Sequence, residues 1–238
     1  MGDNSLSLTA LVLKADPVGE ADKRVVLLTA EKGKIAVFAK GARRPGSRLL
    51  AATNPFCFGE YTVRCGRSSN YLNAAEVSNY FEQLRDSYEA AVYGIYLLEL
   101  ADYYTRENND EKQMLRLLYQ SLKALCHPAY EKALVRYIYE IKALVLGGEY
   151  PGPPDTVSVP SIDGETYPVG AVVNRPPLDA TIAALAHIAE ADLEKLYTFA
   201  VSPEVLAELA AIAAAYRRRF LDREMHSEKA LDDLPNLN

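Results

Sequence analysis

The first third of the chain is written in short runs with a period of two. Leu8 to Lys14 is apolar and is followed by turn residues at Asp16-Pro17-Val18-Gly19. Arg24 to Ala30 (Arg-Val-Val-Leu-Leu-Thr-Ala) is rich in strand formers and stops at Glu31-Lys32-Gly33. Lys34 to Lys40 then alternates as Lys-Ile-Ala-Val-Phe-Ala-Lys, and the Gly33-containing gap makes the two runs a hairpin. After a polar stretch punctuated by glycine and proline, Gly41 to Ser47, come Pro55 to Cys65 and Ser69 to Val77. Five short strands in about 75 residues is the count of a small closed barrel such as an OB-fold.

From Tyr80 onward apolar residues recur at intervals of three and four. Tyr88, Ala91, Val92, Ile95, Tyr96 and Leu100 mark one amphipathic helix, and Leu115, Leu118, Tyr119, Leu122 and Leu125 a second that ends before Pro128. Tyr130, Leu134, Tyr137, Ile138, Ile141, Leu144 and Val145 mark a third, stopped by Gly147-Gly148 and Pro151. Prolines at 151, 153, 154, 160, 168, 176 and 177 then break the pattern. Within this stretch Thr156 to Val159 and Tyr167 to Val173 are placed to flank a turn at Asp163-Gly164. Helices are expected again over Leu178 to Glu190, Asp192 to Phe199, and from Ser202 towards Phe220, where Ser202 is the N-cap and Pro203 the first helical residue. Asp232-Asp233-Leu234-Pro235-Asn236 reads as a frayed tail. The pattern therefore predicts an α+β, multidomain protein. Residues 1–78 are a five-stranded OB-fold barrel, and residues 79–238 an all-helical domain with an irregular insertion at about 150–177.

Composition changes this picture in two ways. With 49% hydrophobic and 24% charged residues, the 238-residue chain has ordinary globular proportions. Met1-Gly2-Asp3-Asn4-Ser5 lacks a signal-peptide pattern, and no apolar stretch reaches the ~18 residues of a membrane helix. A cytoplasmic protein with no membrane partner is expected. Cys57, Cys65 and Cys126 fit no zinc template and read as free thiols of a reducing compartment. The net charge of −6 is unevenly spread. Residues 1–78 hold 11 Lys and Arg against 7 Asp and Glu, a net +4, and the remainder carries −10. Such asymmetry points to two parts with different partners.

The segment Lys40-Gly41-Ala42-Arg43-Arg44-Pro45-Gly46-Ser47-Arg48 concentrates the positive charge in a turn-rich loop without a carboxylate. Between Lys23 and Arg48 there are eight Lys and Arg and one acid, Glu31. Guanidinium groups on such a loop can pair bidentately with phosphates; a merely solvated basic loop is the alternative, and the residues leave both open. Phe38, Phe56, Phe58, Tyr61 and Tyr71 interleave with the cations and are candidates for stacking on bases. Phe38 suits a core position equally, whereas Tyr61 and Tyr71 flank polar residues. Tyr216-Arg217-Arg218-Arg219-Phe220 is a second basic cluster, best read as a helix end complementing its dipole. Searches for catalytic patterns fail. Gly33-Lys34 lacks the earlier glycine and following Ser/Thr of a phosphate loop, and neither Gly-x-Ser-x-Gly nor His-Glu-x-x-His occurs. His127, His187 and His226 have no evident partner in the sequence, and no enzyme or cofactor is expected.

Taken in order, these features resemble the RecO recombination mediators. The resemblance rests on Lys40-Gly41-Ala42-Arg43-Arg44-x-x-Ser47-Arg48, on Leu49 to Phe56 leading into the next strand, and on the helix of Tyr137 to Pro151. It is completed by Phe220-Leu221 and His226-Ser227-x-Lys229-x-Leu231. The family's Gly-aromatic-x-Pro turn is here Gly148-Glu149-Tyr150-Pro151, with the aromatic one place late. The four-cysteine zinc module that many relatives carry is missing, since Pro151 to Asn174 contains neither cysteine nor histidine. The resemblance implies a non-enzymatic DNA repair and recombination protein that binds single- and double-stranded DNA and anneals complementary strands. It also implies that RecR and single-stranded DNA-binding protein are partners in loading recombinase. Carried onto this sequence, it implies DNA contacts at Lys40, Arg43, Arg44 and Arg48, with Lys23, Arg24 and Lys34 as weaker neighbours. A protein adaptor whose basic barrel meets an acidic partner is the alternative.

Overall fold

A computed structural model describes residues 5–161 and 170–234. The period-two runs are strands β1 (Ser5–Val18), β2 (Asp22–Thr29) and β3 (Gly33–Ala39), followed by a short helix α1 (Leu49–Ala52) and by β4 (Phe58–Cys65) and β5 (Asn70–Asn79). They close as β1-β2-β3-β5-β4, with β1 antiparallel to both β2 and β4 and with β3 meeting β5 in parallel. This is the five-stranded OB-type barrel expected. Alternate residues fill it: Val25, Leu27, Val37, Ala39, Tyr61, Val63 and Leu72 lie in one buried cluster.

Two details depart from the expectation. β1 runs on through Asp16 and Pro17, which pair with Arg24 and Lys23, so the turn falls at Gly19, whose φ is +57°. Ladder pairing with β2 thus outweighs the local turn chemistry, and Gly19 supplies the left-handed residue one step later. The α1 turn inside Leu49 to Phe56 was not anticipated either; it is four residues long, too short for a periodic signal.

The helices follow as α2 (Glu82–Asp86), α3 (Tyr88–Tyr104), α4 (Lys112–Cys126) and α5 (Lys132–Leu146), then strands β6 (Val157–Pro160) and β7 (Val172–Arg175). After these come α6 (Asp179–Glu190), α7 (Pro203–Phe220) and α8 (Glu228–Asp232). Ser202 caps α7 as expected, its hydroxyl accepting from the Val205 amide at 3.4 Å. β6 and β7 pair antiparallel, while the Asp163-Gly164 turn and Pro235-Asn236 lie outside the described residues. Asp192 to Phe199 is not a helix. Lys142 Nζ donates to the carbonyls of Ala189 and Ala191 at 2.9 Å, which closes the end of α6. The residues after it form consecutive turns that still bury Leu193, Leu196 and Tyr197. No helix among the described residues is long and apolar enough to cross a membrane.

The chain divides into two compact units. Residues 1–127 with 225–238 form one, in which α3 and α4 lie against β1 and α4 against β2. That cover explains why Val26 and Leu28, which point away from the barrel interior, are buried as well. Residues 128–224 form the other, built on α5, α6, α7 and the β6-β7 hairpin.

Candidate nucleic-acid interface

The basic loop is held by its backbone. The Gly41 amide donates to Asp22 Oδ1 at 2.7 Å, the Arg43 amide to the Ala21 carbonyl at 2.8 Å and the Ser47 amide to the Arg44 carbonyl at 3.1 Å. Ala42 is fully buried in the barrel core. These contacts fix the chain and leave Lys40, Arg43, Arg44 and Arg48 exposed. Arg43 donates to the Gly19 carbonyl at 3.0 Å, which tethers the loop side chain to the β1-β2 turn. Cations displayed on an ordered frame lose less entropy when a ligand fixes them.

The three weaker candidates separate. Arg24 is exposed on β2. Lys23 points the other way: its Nζ donates to Asn54 Oδ1 at 2.9 Å, Thr53 Oγ1 at 3.1 Å and the Leu50 carbonyl at 3.4 Å. Burial pushes its pKa down, and its work is to pin the α1 segment to β2. Lys34 forms an ion pair with Asp102 at 2.9 Å and also donates to the Asp102 carbonyl, fastening β3 to the end of α3.

The aromatic candidates separate too. Tyr61 is wholly buried and donates its hydroxyl to the Ala52 carbonyl at 2.8 Å, so the expectation that it stacks on bases is overturned. Burial pushes its phenol far above the ordinary range. Its polar neighbours Glu60 and Thr62 occupy the outward positions of β4, which sends Tyr61 inward. Phe56 is buried, and Phe58 packs on Tyr119 with ring centroids 4.6 Å apart. Phe38 and Tyr71 remain half-exposed, 6.2 Å apart, as direct partners across the β3-β5 seam.

Two cations missed by the sequence reading belong here. Arg64 lies opposite Tyr71 on β4, and its guanidinium and the Lys40 ammonium each lie 5.0 Å from the Tyr71 ring centre. Arg67 is exposed in the β4-β5 turn. The signal was present in the near-symmetric spacing of Arg64 and Tyr71 about that turn, which pairs them once the hairpin is recognised.

The second basic cluster is partly internal. Arg217 reaches Glu140 Oε2 at 2.6 Å, and Arg136 meets Glu140 Oε1 at 2.8 Å. Tyr216 donates to the Gly152 carbonyl at 2.5 Å and stands edge-on to Tyr150 of the Gly-Glu-Tyr-Pro turn, with ring centroids 6.1 Å apart. Among the described residues, no three His, Cys, Asp or Glu side chains are grouped to hold a metal.

Comparison with known proteins matches the two halves to two family models. Recombination protein O N terminal covers residues 4–81 and Recombination protein O C terminal residues 85–229. The chain is 29% identical over 240 residues to the DNA repair protein RecO of Exiguobacterium sibiricum, spanning 95% of this chain and 96% of that one. With the DNA repair protein RecO of Bacillus subtilis it shares 27% over 240 residues, spanning 95% and 94%. With that of Acetivibrio thermocellus it shares 25% over 234 residues, spanning 92% and 93%.

Proposed function

The chain belongs to the recombination protein O family, whose relatives above are named DNA repair proteins, and we propose that it serves DNA repair and recombination as a strand-annealing mediator. The barrel of residues 1–78 binds single- and double-stranded DNA, and the helical remainder from residue 79 supplies surface for RecR and for single-stranded DNA-binding protein. The output is recombinase loaded onto DNA, with no bond made or broken by this chain and no cofactor.

One observation supports this reading above the others. The 40–48 loop displays Lys40, Arg43, Arg44 and Arg48 outward from a hydrogen-bonded backbone and carries no carboxylate. Phosphates engaged by these groups release counterions, and two strands neutralised on one surface repel each other less. Arg24 extends the surface, while Lys23 and Lys34 hold the frame on which it rests.

The test is binding of labelled oligonucleotides across a salt series, with Arg43→Ala/Arg44→Ala beside the wild type. If both arginines meet single-strand phosphates, the log–log salt slope becomes shallower by about 1.4, and annealing of complementary strands slows in the same variant. Folded wild type that fails to bind DNA at low salt refutes the proposal and favours an adaptor that meets an acidic protein.

A further inference from the structure

We infer that the outer β3-β5 seam is a base-stacking platform for unpaired strands, centred on Phe38 and Tyr71, and that it gives the barrel a preference for single-stranded over duplex nucleic acid. The inference rests on the DNA-binding reading above and extends it from phosphates to bases.

The geometry comes from register. Arg24 of β2 is paired with Phe38 of β3, Phe38 with Tyr71 of β5, and Tyr71 with Arg64 of β4. The residues beside them on each strand, Val25, Val37, Leu72 and Val63, lie in the barrel core. Strand alternation therefore turns the whole row Arg24–Phe38–Tyr71–Arg64 outward. Three interstrand spacings give it a span of about 14 Å. Its ends are cationic and its centre aromatic, and Lys40, the first residue of the basic loop, reaches over the Tyr71 ring. Alternating positive charge and ring faces is the arrangement that tracks a single strand, because every base offers a π-face and every linkage a phosphate.

The neighbouring rows set the direction. Along the same face, the next β4-β5 pairs are Thr62 with Ala74 and Glu60 with Glu76. The two exposed glutamates would repel a strand laid down the length of β4-β5. A strand therefore crosses the sheet from Arg64 towards Arg24 and leaves by the basic loop. An acidic peptide would gain from the cations but would leave the partly exposed Phe38 and Tyr71 ring faces without a flat partner at each, which a strand of bases supplies. A duplex keeps its base faces stacked on one another, so it gains only from the cations.

The chain contains no tryptophan, so Tyr71→Trp places the sole indole at the seam. The variant is titrated to saturation with oligothymidylate and with an abasic oligodeoxyribose phosphate of equal length. Quenching by the first and not by the second is expected. In parallel, Tyr71→Ala is expected to weaken oligothymidylate binding by about 5- to 150-fold with an unaltered salt slope, and Tyr71→Phe to recover it. Equal indole responses to both ligands overturn the inference. So does a Tyr71→Ala loss that is the same for both ligands and makes the salt slope shallower, because the ring then only positions Arg64 and Lys40. Wild type that binds both ligands equally well overturns stacking alone, whereas folded wild type that binds neither overturns the DNA-binding reading along with it.

Discussion

Replacing Gly33 by alanine tests how rigidly β3 is seated. Gly33 turns the chain between β2 and β3 at φ +62°, and the turn is bonded to the α3-α4 connection. The Lys34 amide donates to the Arg106 carbonyl and the Asn108 amide to the Lys32 carbonyl, both at 3.0 Å. An added Cβ would stand 2.5 Å from the Arg106 oxygen and 2.7 Å from the Asn109 oxygen. An ordinary carbon–oxygen contact is about 3.3 Å or more, so the 106–109 backbone would have to retreat by roughly 0.8 Å. That movement weakens both inter-segment hydrogen bonds, at about 1 kcal/mol each. The left-handed backbone adds about 1 kcal/mol for any residue with a Cβ. Against this, alanine reduces the freedom of the unfolded chain, which returns about 0.4–1 kcal/mol. The net expectation is a loss of about 2–3 kcal/mol. Gly46 is the control: its φ is +76°, but a Cβ there meets nothing within 4 Å. Gly46→Ala keeps only the backbone strain and the unfolded-state gain, and should cost under about 1 kcal/mol. Urea unfolding followed by circular dichroism reads both. If the two variants lie within about 0.5 kcal/mol of each other, the close approach of the 106–109 backbone is not what Gly33 serves.

Three further outcomes follow from groups outside the proposed DNA surface. Glu140 is buried between Arg136 and Arg217, so Glu140→Gln removes the carboxylate that both guanidiniums share and should destabilise the 128–224 unit by about 3–5 kcal/mol; a loss under about 1 kcal/mol in denaturant unfolding would refute this. Lys23→Met should lower stability by about 1–3 kcal/mol through the orphaned Thr53 and Asn54 acceptors while keeping the salt slope of DNA binding, and a shallower slope would instead put Lys23 on a phosphate. Burial alone would raise the pKa of Glu99, but bonds from the Ser227 hydroxyl and amide and from the His226 amide outweigh it and hold the carboxyl below its ordinary value. A depressed folded-state pKa means its contribution is complete above the ordinary glutamate range and is lost as pH falls through the lowered value. Protection factors of the 226–231 amides, taken relative to the slower intrinsic exchange in acid, should therefore fall as the solution is acidified below about pH 4.5, and Glu99→Gln should remove that dependence.

The barrel was legible because its strands alternate over a single packed interior, a pattern that survives without knowledge of partners. What could not be read locally was decided by pairing. Asp16-Pro17 is a turn signal in isolation, yet it lies in β1 because Arg24 and Lys23 of β2 are there to receive it. Leu193, Leu196 and Tyr197 have helical spacing, but consecutive turns bury the same three residues equally well. The loop cations were evident from composition, whereas Arg64 is a lone charge in a strand and becomes part of the surface only through the register that sets it against Tyr71. Tyr61 and Tyr71 look alike by their neighbours. The outward sequence Glu60, Thr62, Arg64 already assigns Tyr61 to the other face, and that reading needs the strand's period rather than the residue's flanks.

The acidic total is compatible with a nucleic-acid surface because electrostatic influence is short-ranged. At physiological salt the screening length is about 8 Å, less than the span of the Arg24–Arg64 row, so a phosphate there responds to its immediate neighbours and not to the chain's sum. Within that range the barrel has already sorted its cations. Lys34 pairs with Asp102 and Lys23 is given over to the α1 segment, whereas Lys14, beside Asp16, and Lys32 stay exposed. The two held lysines sit where side-chain oxygens or carbonyls face them. Arginines dominate the other group, Arg24, Arg43, Arg44, Arg48, Arg64 and Arg67 with Lys40, all exposed. An arginine keeps its charge when desolvated and offers a planar fork to a phosphate or a flat face to a base, which a lysine cannot. The gathering of arginines on the basic loop and along the Arg24–Arg64 row is thus a chemical argument for the same surface that the strand register picks out.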